Sequence, residues 1–138
     1  MNNLKNKSIL QKLSLGNVSL KQVSAKTLKP AKKDTRELIS KWEYKILENN
    51  EKRLCLLANV NTKLEGMFEL KASFLIEFKV FELLEINEVE ENITDILYYA
   101  GANYTLLSSF LSNYILGFPV PISPNIEKSN LKAIESSK

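Results

Sequence analysis

Apolar and polar residues alternate almost without interruption between residues 54 and 84, and no other feature restricts the fold as strongly. In the first run one face carries Leu54, Leu56, Ala58, Val60, Thr62 and Leu64, all apolar except the threonine. After Gly66 the pattern resumes with Phe68, Leu70, Ala72, Phe74, Ile76, Phe78 and Val80. Side chains of a strand point alternately to its two faces, so both runs predict strands with one buried and one solvent-exposed face. The second is predicted to span Met67 to Leu84, far beyond a typical strand.

Two earlier strands are predicted from weaker alternation. The first spans Ile9 to Leu20, and its change of parity at Gly16-Asn17 predicts a β-bulge, because one extra residue reverses which face looks inward. Residues 24 to 36 are polar, contain Pro30 and are predicted to be a connection.

The second of these strands begins at Leu38 and ends before a turn at residues 48 to 51. Its apolar positions are Leu38, Trp42, Tyr44 and Ile46. Trp42 and Tyr44 share one face, and we expect core or subunit contacts because aromatic side chains gain much from burial.

The period changes from two to that of a helix near residue 90. A short first helix is predicted to be interrupted at Gly101, and a long helix to follow from Asn103. Gly117 and Pro119 form a strong stop signal. The predicted apolar stripe of the long helix is Leu106, Leu107, Phe110, Leu111, Tyr114 and Ile115, with serines opposite.

Residues 1–138 are expected to form one domain, with flexible ends at 1–7 and 135–138. The predicted fold class is α+β: a four-stranded antiparallel sheet followed by the long helix and a short C-terminal helix from Glu127 to about Ile134.

The apolar area of this sheet and helix exceeds what one copy covers, which favours a homo-oligomer. The interface is predicted at Leu107, Phe110, Leu111 and Tyr114. The sequence also allows the stripe to pack only on its own sheet.

The residue inventory argues against an enzyme. The chain has no histidine, one cysteine and four separated glycines. These exclude an internal disulfide, a thiolate or imidazole metal site and a glycine-rich phosphate loop. We therefore expect no cofactor and no metal. We also expect no membrane span and no targeting segment, and a cytoplasmic location.

The segment after the long helix is the most distinctive stretch. It runs Gly117-Phe118-Pro119 and continues with Val120, Pro121, Ile122, Pro124, Ile126 and Leu131. With "FLIEFKVFELLEI" (residues 74–86) and "LSLGNVSLK" (residues 13–21), it resembles the SecB family of protein-export chaperones. The likeness covers about residues 8 to 134, and the chain is expected to be a divergent member.

This resemblance implies a four-stranded antiparallel sheet and assembly as a dimer of dimers through the long helices. It also implies ATP-independent binding of unfolded polypeptides in apolar grooves. The family is typically acidic and docks the export ATPase SecA through an acidic sheet surface. This chain carries a formal charge of +3, which argues against SecA docking and favours another client, such as one from a toxin–antitoxin system or a mobile element.

Prolines stiffen residues 117 to 124 and lower the entropic cost of keeping them extended. The segment is predicted to wall a peptide groove whose candidate residues are Leu28, Leu38, Trp42, Phe118, Val120 and Ile122. The alternative is a return loop that pins the C-terminus to the core.

A second function class also remains open. The sheet could serve a non-chaperone binding or regulatory module for a folded partner or a nucleic acid, the latter through Lys5, Lys7, Lys12 and Lys21. The small net charge does not favour nucleic acid.

Overall fold

A computed structural model describes residues 9–29 and 37–134, and the predicted flexible ends lie outside these ranges. The α+β class is confirmed. The elements are α1 (Ile9–Lys12), β1 (Leu13–Thr27), β2 (Leu38–Asn49), β3 (Arg53–Leu64), β4 (Phe68–Val80), α2 (Ile86–Glu91), α3 (Ile93–Leu116), a 3₁₀ turn (Lys128–Asn130) and β5 (Leu131–Ala133).

The sheet has five strands in the order β1-β4-β3-β2-β5. The pairs β1–β4, β4–β3 and β3–β2 are antiparallel, as predicted. The fifth strand is a correction, because Leu131–Ala133 pairs in parallel with Trp42–Tyr44 where a C-terminal helix was predicted. The edge of β2 offers unpaired backbone groups, and pairing with them outweighs the weak helical pattern of so short a segment.

The first predicted strand needs two corrections. Ile9–Lys12 is helical, and the strand then continues to Thr27, into the predicted connection. The extension has a tertiary cause, since β1 pairs with β4 over its whole length. The predicted bulge is confirmed by a register shift between Leu15 and Asn17.

The strand predicted to run from Met67 to Leu84 ends at Val80. Val80 pairs with Leu13, the first residue of β1, so no neighbouring strand continues the ladder past this point. The apolar residues beyond it have other surroundings: Phe81 and Leu83 are exposed, and Leu84 is buried.

One face of the sheet forms the core with α3. The alternating residues of β3 and β4 named above are buried almost without exception, as the pattern predicts. Trp42 and Tyr44 are buried on the same face, at 3% and 8% exposure. Burial of apolar area stabilises a fold by roughly 25 cal/mol per Å², so burial of these side chains favours folding.

Helix α3 is continuous from Ile93 to Leu116, so the predicted interruption at Gly101 is wrong. The glycine has a different role: a Cβ there would lie 2.2 Å from the carbonyl oxygen of Pro124. The absence of a side chain lets another part of the backbone contact the helix. The predicted stop is confirmed, because Gly117 is left-handed, with φ 84°, and its N–H donates to the carbonyl of Asn113.

After Gly117 the chain folds back along α3; residues 118–127 are called the return segment. Two helix serines hold it through its backbone. Val120 N–H donates to Ser112 Oγ at 2.6 Å, and Ile122 N–H donates to Ser108 Oγ at 3.2 Å. Thr105 Oγ1 donates to the carbonyl of Ile122. The serine face of α3 therefore looks inward.

Ser108→Ala is expected to lower the free energy of unfolding by about 1–3 kcal/mol. The substitution leaves the buried N–H of Ile122 without its acceptor, and an unsatisfied buried donor costs that much. The measurement is urea denaturation. Ser109→Ala is the matched control, because Ser109 Oγ donates only to Thr105 within the helix, and an equal loss in both variants would contradict the assignment.

Candidate functional site

A groove of about 330 Å³ lies between the start of β2 and the return segment. Its lining is Leu38, Ser40, Trp42, Ile122, Ser123, Asn125, Ile126, Glu127 and Asn130. The apolar members come from two directions, since alternation along β2 supplies Leu38 and Trp42 and the stiff return segment supplies the isoleucines. Trp42, Ile122 and Ile126 are buried and form the floor of the groove, whereas Leu38 is 44% exposed. The groove therefore combines an apolar floor and one exposed leucine with a polar rim.

One wall of the groove is an open strand edge. Glu65 N–H donates to the carbonyl of Glu37, so at this point Glu37 faces β3. In an antiparallel ladder alternate residues turn both backbone groups to the same neighbour. The backbone groups of Leu38, Ser40, Trp42 and Tyr44 therefore point away from β3, and Tyr44 does accept a hydrogen bond from Ile134 N–H at 2.8 Å.

Strand β5 covers only part of this edge. It pairs with Trp42–Tyr44, so in the described part of the chain the outward backbone groups of Leu38 and Ser40 have no strand partner. An unpaired strand edge is a template for a further strand. Here the template borders the groove, with the exposed side chain of Leu38 beside it.

The groove brings together three of the six predicted peptide-binding residues: Leu38, Trp42 and Ile122. Phe118 is 48% exposed and Val120 half-buried, and both lie nearer the end of α3. Leu28 lies just after β1, on the far side of the sheet from β2, where its N–H donates to the carbonyl of Met67.

The prediction missed Ser40 and Ile126. Ser40 shares the parity of Leu38 and Trp42, so the strand pattern contained the signal. Ile126 follows the prolines, and only the course of the return segment brings it back to β2.

A chain of hydroxyl groups runs from the core to the groove. Tyr104 Oη donates to Thr62 Oγ1 at 2.8 Å, and Thr62 Oγ1 lies 2.7 Å from Ser40 Oγ. Tyr104 and Thr62 are fully buried, and the Trp42 ring contacts Tyr104 edge-on at 5.8 Å. Burial raises the pKa of Tyr104 to about 12, against a smaller opposing effect of the hydrogen bond to Thr62.

Helix α3 carries a second apolar surface, called the outer stripe: Leu106, Phe110 and Tyr114, which are 74%, 64% and 78% exposed. The rings of Phe110 and Tyr114 contact each other, with centroids 5.4 Å apart. The other predicted interface residues, Leu107 and Leu111, are half-buried against the core. The outer stripe therefore does not pack on its own sheet.

Strand β1 adds apolar exposure on the side of the sheet that faces α3. Leu15, Leu20 and Val23 pair with core-facing residues of β4, yet they are 41%, 44% and 40% exposed. Alternation places them on the core face, but α3 does not reach far enough to cover them.

The opposite face of the sheet is largely polar, with Ile39 and the pair Leu57–Leu75 as apolar members. Lys41, Asn61 and Lys71 form one row across β2, β3 and β4. Two glutamates of this face are held in ion pairs, Glu69 with Lys26 at 3.4 Å and Glu77 with Arg53 at 2.7 Å.

The described residues contain no group of three or more His, Cys, Asp or Glu placed to hold a metal ion. Nor do residues 9–29 and 37–134 include a helix with the length and apolar character needed to cross a bilayer.

No protein-family model matches the chain, and no curated protein matches it. Among solved structures it is similar to the Mycobacterium tuberculosis SecB-like chaperone Rv1957, in complex with a ChAD peptide from the Rv1956 HigA1 antitoxin. The TM-score is 0.63 at 11% identity, over 86% of this chain and 93% of that one. A protein of unknown function from Streptococcus agalactiae matches with a TM-score of 0.49 at 11% identity, over 84% and 97%. The chain has a SecB-like fold.

Proposed function

We propose that the protein is a divergent SecB-like chaperone that holds unfolded polypeptide, without ATP, in the groove between β2 and the return segment. The observation that carries the proposal is the open edge of β2 beside a groove with an apolar floor and the exposed side chain of Leu38. An extended client can bond its backbone to Leu38 and Ser40 while its apolar side chains enter the groove. This mode of binding recognises the backbone and the apolar side chains of a client rather than one particular sequence.

One solved structure with a similar fold is a SecB-like chaperone in complex with an antitoxin peptide, and this supports polypeptide clients here. We propose clients of that kind, from a toxin–antitoxin system or from protein export, and a cytoplasmic location. Leu38, Trp42 and Ile122 are assigned to the groove. Phe118 and Val120 extend it along the return segment, and Leu28 belongs to a separate contact of a long client.

The proposal includes a homo-oligomer, arranged as a dimer of dimers. The outer stripe and the exposed apolar residues of β1 are the two surfaces through which the subunits are proposed to associate. Several grooves on one oligomer can bind one long client, and this raises the overall affinity above that of a single site. Docking to SecA is not part of the proposal, because Lys41 and Lys71 occupy the polar sheet face.

The test is suppression of aggregation. A reduced, unfolded model protein is expected to stay in solution when the purified protein is present in near-stoichiometric amount and no nucleotide is added. Light scattering follows the reaction. Unaltered aggregation of several different unfolded substrates would refute the proposal.

Leu38→Asp is expected to weaken client binding at least about tenfold, because it places a charge where apolar side chains are buried. Fluorescence anisotropy of a labelled client peptide measures the effect. Leu47→Asp is the matched control: both leucines lie on β2, with 44% and 49% exposure, and Leu47 does not line the groove. Equal weakening by both substitutions would place the binding surface elsewhere.

The basic row on the polar sheet face favours one alternative, a module that binds nucleic acid or an acidic partner through Lys41 and Lys71. Salt distinguishes the two functions. Binding through phosphate contacts falls steeply between low and moderate salt, whereas binding by apolar burial changes little. A steep salt dependence would favour the alternative.

A further inference from the structure

Ser40 lines the groove, and its side-chain hydroxyl is hydrogen-bonded to the fully buried Thr62. Within the groove it lies between Leu38 and Trp42, and it pairs across the sheet with Thr62. The inference from this contact rests on the proposed function and deepens it by naming a preference among clients.

The hydroxyl chain fixes where protons point. A hydroxyl donates one hydrogen and accepts up to two. Tyr104 Oη donates to Thr62 Oγ1 at 2.8 Å. Thr62 is fully buried, and its hydrogen-bond partners within the described residues are Tyr104 and Ser40. Either hydroxyl can donate in the Thr62–Ser40 contact, and we assign the Thr62 proton to Ser40 Oγ because Thr62 already accepts from Tyr104.

Ser40 Oγ thus receives a proton from Thr62, and its own proton remains to be donated. Ser40 is half-buried, lines the groove and lies at the open edge of β2, so its hydroxyl hydrogen can turn toward the groove. A strand added at the edge places one of its side chains directly opposite Ser40, on the same face. Cβ atoms of such cross-strand neighbours are about 5 Å apart, within reach of a hydroxyl–hydroxyl hydrogen bond.

We infer that Ser40 selects client segments that carry a hydrogen-bond acceptor side chain, such as threonine, serine or asparagine, between apolar residues. The acceptor extends the row Tyr104–Thr62–Ser40 by one member. An apolar residue two positions away then faces Leu38. The groove therefore has a polar position among its apolar ones. A purely apolar segment leaves the Ser40 donor without a partner at a partly desolvated site, and this lowers the affinity for that segment.

The experiment uses two labelled peptides in which leucine alternates with glutamine. One carries threonine at the central apolar position and the other carries valine, which has the same shape without the hydroxyl. The full-length protein is expected to bind the threonine peptide about three- to tenfold more tightly, as one net hydrogen bond allows. Anisotropy titrations measure both affinities.

Variants assign the preference to the hydroxyl chain. Ser40→Ala is expected to abolish or reverse it, and Ser40→Thr to retain it. Tyr104→Phe is expected to reduce it in the wild-type background and to have no effect on it in the Ser40→Ala background. Without the tyrosine donor, Ser40 is free to donate to Thr62 instead. If Tyr104 had only a structural role, Tyr104→Phe would lower the affinity for both peptides equally. Thermal melting of each variant accompanies the titrations and measures its stability.

Equal binding of the two peptides, or a preference that survives Ser40→Ala, overturns the inference and leaves the proposed chaperone function standing. If neither peptide binds and unfolded substrates still aggregate, the proposed function fails and the inference fails with it.

Discussion

Gly101→Ala is expected to lower the free energy of unfolding by about 1–3 kcal/mol and to loosen the return segment. The alanine Cβ would lie 2.2 Å from the carbonyl oxygen of Pro124, with the carbonyl carbon at 3.1 Å. These are backbone atoms, so no side-chain rotation relieves the clash. Either the return segment moves away from α3 or the helix shifts against the sheet.

A second effect opposes the loss. Alanine is favoured over glycine inside a helix by about 1 kcal/mol, and Gly101 lies within α3. If packing were loose here, the substitution would stabilise the protein. The sign of the change therefore measures how tightly the return segment is held, and at 2.2 Å we expect the clash to win.

Urea denaturation and amide hydrogen exchange test this prediction together. The N–H groups of Val120 and Ile122, which donate to Ser112 and Ser108, are expected to exchange faster in Gly101→Ala. Ala102→Gly is the control, since it changes helix propensity at the next position and is expected to cost up to about 1 kcal/mol without selective exchange at those two amides. A Gly101→Ala variant that is more stable than the wild type would contradict the close contact.

The strands and the end of α3 were predictable because their signals are local. Alternation reports burial directly, so the buried faces of β3 and β4 could be derived residue by residue. Gly117 and Pro119 mark a helix end through their own backbone preferences. Gly101 is also a glycine, but it does not end a helix. It is explained by a tertiary contact, because Pro124 packs against the helix at this position.

The serines of α3 show why the candidate site was only partly predictable. Opposite an apolar stripe, Ser108 and Ser112 are expected to face water, yet both are fully buried. They face inward because the return segment brings two backbone N–H groups to them, and this depends on chain course after residue 117. The groove likewise joins β2 to residues eighty positions later in the chain, which no local pattern specifies.

Phe110→Glu is expected to raise the dissociation constant of the oligomer at least about 100-fold. Because the serines of α3 face inward, the outer stripe is exposed to solvent. Phe110 lies at its centre, between Leu106 and Tyr114. Hot-spot residues, which are enriched in aromatic side chains near the centre of an interface, cost about 2 kcal/mol or more when truncated, and a buried, unpaired carboxylate adds a further cost.

Size-exclusion chromatography with light scattering gives the measurement. The wild type is expected as a tetramer or dimer at micromolar concentration, and Phe110→Glu as a smaller, folded species. The fold should survive, because Phe110 is 64% exposed in the subunit and contributes little to its core. A circular dichroism spectrum equal to that of the wild type verifies this point.

Phe81→Glu is the matched control, since Phe81 is 63% exposed and lies after β4, away from the outer stripe. The two substitutions remove the same side chain from the same degree of exposure and add the same charge. A general effect of charge or solubility would therefore act on both variants, whereas an interface through α3 responds only to the first. A wild-type monomer, or an unchanged oligomer in Phe110→Glu, would remove α3 from the assembly and leave the exposed residues of β1 as the surface to test.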